Sequence, residues 1–141
     1  MLRGYLLVLS SGSSIDRTSN NVSLFNLIEV LGLQQEALGE VIPELQMHLH
    51  VIVEPSARNS DFEARIMRVE AQGHVEAGNS FGFRTGEGAH LRVVTGFRLP
   101  RGYGDYLLHA EWRRKGEETW NADGATWPLQ IRPFVASDNA L

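Results

Sequence analysis

The chain has 141 residues, of which 43% are hydrophobic and 21% charged, and its formal net charge is −4 at pH 7. This is the length of one domain, and the composition is that of an ordinary soluble globular protein, neither disordered nor membrane-spanning. A negative net charge argues against a general nucleic-acid binder, which needs a basic face against the phosphates. The chain has no cysteine, which excludes disulfides, a thiolate nucleophile and a cysteine-ligated zinc site.

The N-terminal part of the chain predicts strands and a polar turn. Tyr5 to Leu9 is apolar on both faces, which is typical of a central strand, and it is shorter than the segment of about 7–15 residues that a signal peptide requires. Together with the lack of cysteine, this favours a cytoplasmic protein without a membrane partner. Ser10 to Asn21 is a polar turn-forming stretch, Val22 to Leu33 resumes the alternation as the next strand, and Gln34 to Glu40 is one helical turn or a loop.

The segment after Pro43 alternates over its whole length and predicts a long strand with one buried face. One face carries Leu45, Met47, Leu49, Val51 and Val53, and the other carries Gln46, His48, His50, Ile52 and Glu54. A face of large apolar side chains gains about 1.5–3 kcal/mol per side chain on burial. We therefore expect the face with the histidines to be exposed to solvent, or to be covered by a second subunit.

The middle of the chain predicts three further strands, separated by a polar connection and several glycines. The first begins at Phe62, and its alternation becomes irregular near Met67 and Val69, which suggests a bulge. A short strand contains Phe81 and Phe83 on one face, and a longer alternating strand runs from Leu91 to Leu99.

The segment from Leu99 to Trp112 indicates the architecture most directly. A loop with Pro100 and three glycines leads to Gly104-Asp105-Tyr106, and a strictly alternating strand then begins. A glycine two residues before the tyrosine and Leu108 two residues after it have the spacing of the tyrosine corner in Greek-key sandwiches, where the phenol bonds to upstream backbone. We expect Tyr106 to be buried and to donate such a hydrogen bond within the Leu99 to Gly104 loop.

The C-terminal part predicts hairpins and a frayed end. Lys115-Gly116 and Asp123-Gly124 are turn signals, a last strand contains Trp127 to Ile131, and residues 134–141 form a tail. The short strands, and the lack of a helical pattern, predict an all-β protein: a single-domain antiparallel β-sandwich over residues 1–133. The topology is expected to be an immunoglobulin-like or C2-like Greek key of about eight strands.

Several segments together carry a resemblance to a known family. They are the early apolar strand leading to Asp16, the stretch Asn21 to Glu29, Ile42-Pro43 before the long strand, and Leu99-Pro100 with Gly104-Asp105-Tyr106. These segments resemble a family of small bacterial β-sandwich proteins that is classed as a domain of unknown function. The resemblance implies a sandwich fold and a cytoplasmic location, and it brings no catalytic residues. The sequence departs from the family at Phe25, where the family has a glycine.

His48, His50 and Glu54 are the candidate metal ligands. These positions share one face of a strand, and two imidazoles at i and i+2 can reach one metal ion. Their spacing is similar to the first motif of cupins, His-x-His followed by a glutamate. The second cupin motif is incomplete, because Asp105 stands where a histidine ligand belongs. Cupin ligands also point into the barrel, whereas these residues are on the face that we expect to be exposed.

The three tryptophans raise the alternative of a carbohydrate-binding module. Trp112 shares a face with Tyr106 and Leu108, and Trp127 shares one with apolar neighbours, so both are expected in the core. Trp120 is the candidate for an exposed sugar platform.

The sequence contains no nucleophile elbow and no phosphate-binding glycine loop, and it assigns no catalytic residue and no cofactor. We therefore expect a non-catalytic protein-interaction or ligand-binding β-sandwich, with a second copy of the chain as a candidate partner. The alternatives are a cupin-like metal-dependent enzyme using His48, His50 and Glu54, and a carbohydrate-binding module.

Overall fold

The computed structural model describes residues 1–15 and 22–134, and strands dominate it. Those residues contain ten strands: β1 (Leu2–Ile15), β2 (Val22–Leu27), β3 (Val30–Leu33), β4 (Val41–Val53), β5 (Asp61–Glu70), β6 (Val75–Ala77), β7 (Phe81–Arg84), β8 (His90–Arg98), β9 (Gly104–Arg114) and β10 (Asn121–Pro133). Their helical structure is limited to two short 3-10 turns, Gln35–Ala37 and Pro55–Ala57. The all-β prediction is confirmed, with ten strands in place of eight. No helix of the described ranges is long and apolar enough to cross a membrane.

The strands form two packed sheets with an immunoglobulin-like order. One sheet has the order β2-β1-β4-β8, and the other has the order β3-β10-β9-β5-β6, with β7 also paired to β5. Pairing is antiparallel except between β3 and β10, which are parallel. Strands β1, β4 and β8 occupy the places of A, B and E of the immunoglobulin fold, and β10, β9 and β5 those of G, F and C. The sandwich prediction is confirmed.

The core lies between the sheets and is built from the inward positions of the alternating strands. Leu49 and Val51 of β4 belong to the same buried cluster as Ala64 and Ile66 of β5, and Phe97 of β8 is 1% exposed. Burying such side chains contributes about 1.5–3 kcal/mol each, which fixes the strand faces.

Tyr106 forms the predicted tyrosine corner. It is buried at the start of β9, and its hydroxyl donates a 2.7 Å hydrogen bond to the carbonyl oxygen of Gly102. Leu108, two residues on, is fully buried. This confirms the prediction, and it ties the loop between β8 and β9 to the first residues of β9.

The stretch from Val22 to Leu33 is not one strand, because the chain changes sheets within it. Asn26 has a φ of 49°, a left-handed conformation that asparagine tolerates better than most residues. The backbone of Ile28 then bonds to Leu9 in the first sheet, and that of Glu29 bonds to β10 in the second. Strands β2 and β3 are therefore edge strands of different sheets.

Three other local predictions also need correction. The pairing of β5 with β9 is continuous, so no bulge interrupts it near Met67. Asp123-Gly124 lies inside β10, where the register with β9 shifts, so this pair marks a bulge rather than a turn. Strand β1 continues to Ile15, which removes half of the turn predicted over Ser10 to Asn21. Positions 16–21 of that turn, and positions 135–141 of the predicted tail, lie outside the described residues.

Candidate functional site

His48 and His50 lie on the outward face of β4, as predicted. His48 is the register partner of Val8 on β1 and of Val94 on β8, and His50 pairs with Leu6 on β1. The ring of Tyr5 contacts His50 edge-on, with a distance of 5.8 Å between the ring centroids. The histidines therefore belong to the centre of the four-stranded sheet.

The expected exposure of His48 is wrong, because its side chain is only 1% exposed. His48 lies in an inner strand between two valines, and Val8 beside it is also buried. In the part of the chain that the structure describes, the Nε2 atoms of His48 and His50 have no hydrogen-bond partner. Burial lowers the pKa of His48, and the neighbouring His50 lowers it further. Burial, and then the charge of Arg92, lowers the pKa of His50.

Glu54 differs from the two histidines in its exposure to solvent and in the groups that it contacts. It follows the end of β4, is exposed, and its Oε2 accepts a 2.9 Å hydrogen bond from the amino terminus of Met1. That hydrogen bond lowers the pKa of the Glu54 carboxyl. Across residues 1–15 and 22–134, the structure brings together no group of three potential metal ligands. The described geometry therefore lends no support to a site built from His48, His50 and Glu54.

Each of the three tryptophans is either buried in the core or in contact with other polar or charged groups. Trp112 is buried in the core, and Trp127 donates a 2.7 Å hydrogen bond from Nε1 to the carbonyl oxygen of Ile28. Trp120 is half-buried, and the guanidinium groups of Arg65 and Arg113 lie 4.3 and 4.1 Å from its ring centroid. Two cations therefore already contact the ring that was the candidate sugar platform.

Trp120 covers a set of paired charges on the outward face of the six-stranded sheet. Arg65 on β5 pairs with Glu111 on β9 at 2.7 Å, and Arg113 on β9 pairs with Glu63 on β5 at 2.9 Å. These four residues are direct register partners across the two strands. Each charge in this set has an opposite partner on the neighbouring strand, so these residues stabilise the pairing of β5 with β9.

The most unusual charged residue is Arg68, which points into the sandwich. It follows Phe62, Ala64 and Ile66 at the inward positions of β5, and its side chain is 2% exposed. It lies on the side of the sandwich where β8 is the last strand of one sheet and β5, β6 and β7 form the margin of the other. A guanidinium carries a full charge and five N–H donors, so such burial is costly unless the donors are satisfied.

The donors of Arg68 are only partly satisfied. Nη2 donates a hydrogen bond to the carbonyl oxygen of Arg98, and Nη1 lies 3.6 Å from Oε1 of Glu76, too far for a hydrogen bond. Nε and Nη1 have no hydrogen-bond partner in the described residues. Burial lowers the pKa of Arg68, and the carboxylate of Glu76 opposes that effect.

A cleft of about 260 Å³ adjoins this guanidinium. Its apolar walls come from Val41, Ile66, Phe81 and Phe97, and its polar lining comes from Arg68, Asn79, Ser80, Thr95 and Arg98. The lining among the described residues includes two arginines and no carboxylate. The cleft therefore combines apolar walls with an excess of positive charge.

Gly78 keeps the space beside the guanidinium open. A Cβ atom at this position would lie 3.4 Å from Cζ and Nη2 of Arg68 and 2.7 Å from the carbonyl oxygen of Ile66. Only a glycine lets the backbone come this close to the face of Arg68. The ring of Phe97 lies on another side, with its centroid 5.2 Å from Cζ. The guanidinium thus lies close to both the backbone at Gly78 and the aromatic ring of Phe97.

Sequence reasoning missed Arg68, although the sequence contains the signal. Positions 62, 64 and 66 predict the buried face of β5, and position 68 continues the same parity. The irregular pattern near Met67 does not mark a bulge, since it arises because an arginine occupies a core position. A charged residue at a position whose parity predicts burial marks a candidate site.

Comparison with known proteins does not assign the chain to a family. No protein-family model matches the chain, and no curated protein matches it in sequence. The resemblance to small bacterial sandwich proteins stays a prediction, and the cleft beside Arg68 is the feature of the structure that bears on function.

Proposed function

We propose that the protein is a non-catalytic, ligand-binding β-sandwich, and that its cleft between β8 and β5–β7 takes a small organic anion. The observation that carries this proposal is the buried guanidinium of Arg68, two of whose nitrogen atoms lack hydrogen-bond partners in the described residues. Buried polar groups in native proteins are nearly always satisfied, so an incompletely bonded guanidinium beside a cleft favours an external acceptor.

The lining favours a carboxylate with a small apolar body. Guanidinium groups suit planar carboxylates, and a carboxylate would compensate the charge that Glu76 only loosely balances. The volume of about 260 Å³ is below the range of roughly 300–1,000 Å³ for typical ligand pockets. Phe81, Phe97 and Ile66 offer apolar surface to the rest of the ligand.

Benzoate and its uncharged amide, benzamide, provide a direct test by isothermal titration calorimetry and by thermal shift. Benzoate should bind to the wild-type protein and raise its melting temperature, and benzamide should do neither. Arg68→Gln should weaken benzoate binding by roughly tenfold or more, since hydrogen bonds to a charged group contribute about 1.5–3 kcal/mol.

Arg84→Gln is the matched control, because Arg84 lies on β7 with an exposed side chain paired to Asp61. It should bind benzoate as the wild type does. Equal binding of benzoate and benzamide, or equal binding by the wild type and a folded Arg68→Gln variant, would show that the cleft is not an anion site.

A second copy of the chain is a further candidate partner, supported by the outward face of the four-stranded sheet. Tyr5, Leu6 and Val94 are between 37% and 51% exposed there, around the half-buried His50. Clustered apolar exposure of this kind is typical of interaction surfaces. Sedimentation of the wild type as a dimer, and of a Leu6→Lys, Val94→Lys variant as a monomer, would support this face. A monomeric wild type at high concentration would exclude a stable dimer.

The cytoplasmic location remains a proposal, supported by the cysteine-free sequence.

A further inference from the structure

We infer that the carboxylate bound by Arg68 is the C-terminus of an extended peptide, which lies along the free edge of β8 as an added strand. This inference rests on the proposed function, because it assigns a substrate class to the same cleft. The observations that carry it are the backbone orientation of β8, the position of Arg68 at one end of that strand, and the charge of the cleft.

The outer edge of β8 presents backbone groups without a partner strand. Strand β8 is the last strand of its sheet and pairs with β4 on one side only, within the described ranges. The carbonyl oxygen of Ala89 and the N–H of Leu99 both bond toward the β4 side. Alternate residues of a strand direct their backbone groups to opposite sides, so Val94, Gly96 and Arg98 direct theirs to the outer edge.

Arg68 marks one end of this edge. Its guanidinium donates a hydrogen bond to the outward carbonyl oxygen of Arg98, the last residue of β8. The cleft is lined by Thr95, Gly96 and Phe97 of the same strand. A carboxylate bound at Arg68 would therefore lie beside the C-terminal end of β8, and the peptide before it would run parallel to β8.

The immunoglobulin order itself provides a place for such a strand. In constant-type domains a strand D lies beside strand E, the place that β8 occupies here. In this chain β7 is followed by residues 85–89 and then directly by β8, and none of the described residues takes the place of D. Strand addition to an exposed edge is a common mode of peptide recognition, in which backbone bonds give affinity and pockets give specificity.

The cleft also specifies the last side chain of the peptide. Side chains of an added strand alternate between the inward and outward faces of the sheet. An inward side chain next to the carboxylate would contact Phe97, Phe81 and Ile66, so the peptide should end in an apolar residue.

The experiment is an affinity selection with a synthetic library of short peptides that are randomised at their last positions and carry free C-terminal carboxylates. Peptides retained by the wild-type protein are identified by mass spectrometry, and their dissociation constants are measured beside those of their C-terminally amidated forms. We expect retained peptides to end in apolar residues and to lose at least about tenfold in affinity on amidation and with Arg68→Gln.

Val94→Pro separates strand addition from simple anion binding. Proline at this position removes an N–H that points to the free edge, and an edge strand tolerates that loss. Val94 is not part of the cleft lining, so the variant should bind benzoate normally and bind the selected peptides at least about tenfold more weakly. Val94→Ala is the matched control and should bind both, and a thermal melt of each variant confirms that it folds.

The possible results distinguish the peptide inference from the proposed anion-binding function. If benzoate binds and no peptide is retained, the peptide inference is overturned and the proposed function stands. The same holds if amidated peptides bind equally well, or if a folded Val94→Pro variant keeps full peptide affinity. If neither benzoate nor any peptide binds, both are overturned.

Discussion

Arg68 and Glu76 are direct register partners on β5 and β6, yet their charged groups are 3.6 Å apart at the closest pair of atoms, Nη1 and Oε1. The pair is therefore an ion pair without a hydrogen bond, and only the Glu76 side has access to water. Such an arrangement costs desolvation that it does not fully recover in the absence of a ligand.

We expect Glu76→Gln to lower the free energy of unfolding by about 2 kcal/mol, because it leaves a buried guanidinium without its counter-charge. Adding Arg68→Met should restore stability to the wild-type level or raise it by about 1 kcal/mol, because both charges are then removed. Urea denaturation of the wild type, the two single variants and the double variant measures the coupling. Simple additivity of the two changes would contradict the assignment of a costly buried pair.

Tyr106→Phe should lower the free energy of unfolding by about 1 kcal/mol or more, because the carbonyl oxygen of Gly102 loses its hydrogen-bond donor. Burial raises the pKa of Tyr106, and the carboxylates of Glu70 and Glu76 raise it further, so the hydroxyl remains a donor at neutral pH. Thermal denaturation should show a decrease of a few degrees. Tyr5→Phe, on an exposed ring, is the control, and an equal loss in both variants would rule out a special role for the corner.

The paired histidines should make stability depend on pH in a defined direction. Burial lowers the pKa of His48 and His50 below the ordinary value of 6.5. Between the lowered values and 6.5 the unfolded chain binds more protons than the folded chain, so the free energy of unfolding should fall as the pH decreases below about 6.5. The slope from each histidine is at most about 1.4 kcal/mol per pH unit.

His48→Leu should make this decrease shallower below about pH 6.5, since one of the two contributing groups is removed. Urea midpoints measured across that range give the slope. A slope unchanged by His48→Leu would mean that His48 is already hydrated and titrates normally.

Trp120→Leu should lower the free energy of unfolding by about 1 kcal/mol, because the ring contacts two guanidinium groups. Arg113→Gln should lower it as well, and the two changes together should cost less than their sum, since they share one interaction. Lys115→Gln, on the exposed turn nearby, is the control and should stay within about 0.5 kcal/mol of the wild type. Coupling between Trp120 and Lys115 instead would contradict the contact.

The sequence predicted the parts of the fold that depend on regular alternation. The inward face of β4 and the corner at Tyr106 follow from parity and from one local spacing, and both are confirmed. The change of sheet between β2 and β3 could not be predicted in this way. It depends on one left-handed residue, Asn26, within a pattern that continues to alternate on both sides.

Parity also assigns a side chain to a face without showing what covers that face. This is why His48 was placed correctly on the outward side and was wrongly expected to be exposed. The site itself was less predictable, because the cleft is lined by residues of β4, β5, β7 and β8 from two sheets and by residues 78–80 between β6 and β7. Only the packed structure shows that Arg68 lies beside Phe97.

The two ion pairs beneath Trp120, which have opposite polarity across the strands, affect the alignment of β5 with β9. A slip of two residues would leave every side chain on its original face, so the apolar pattern alone cannot distinguish it from the native pairing. The charges can, because a slip in one direction would place Glu63 opposite Glu111, and a slip in the other would place Arg65 opposite Arg113. Either error sets like charges against each other, which is unfavourable between paired strands. The four charged residues therefore favour the native alignment of the two strands over slips that set like charges of this group opposite each other.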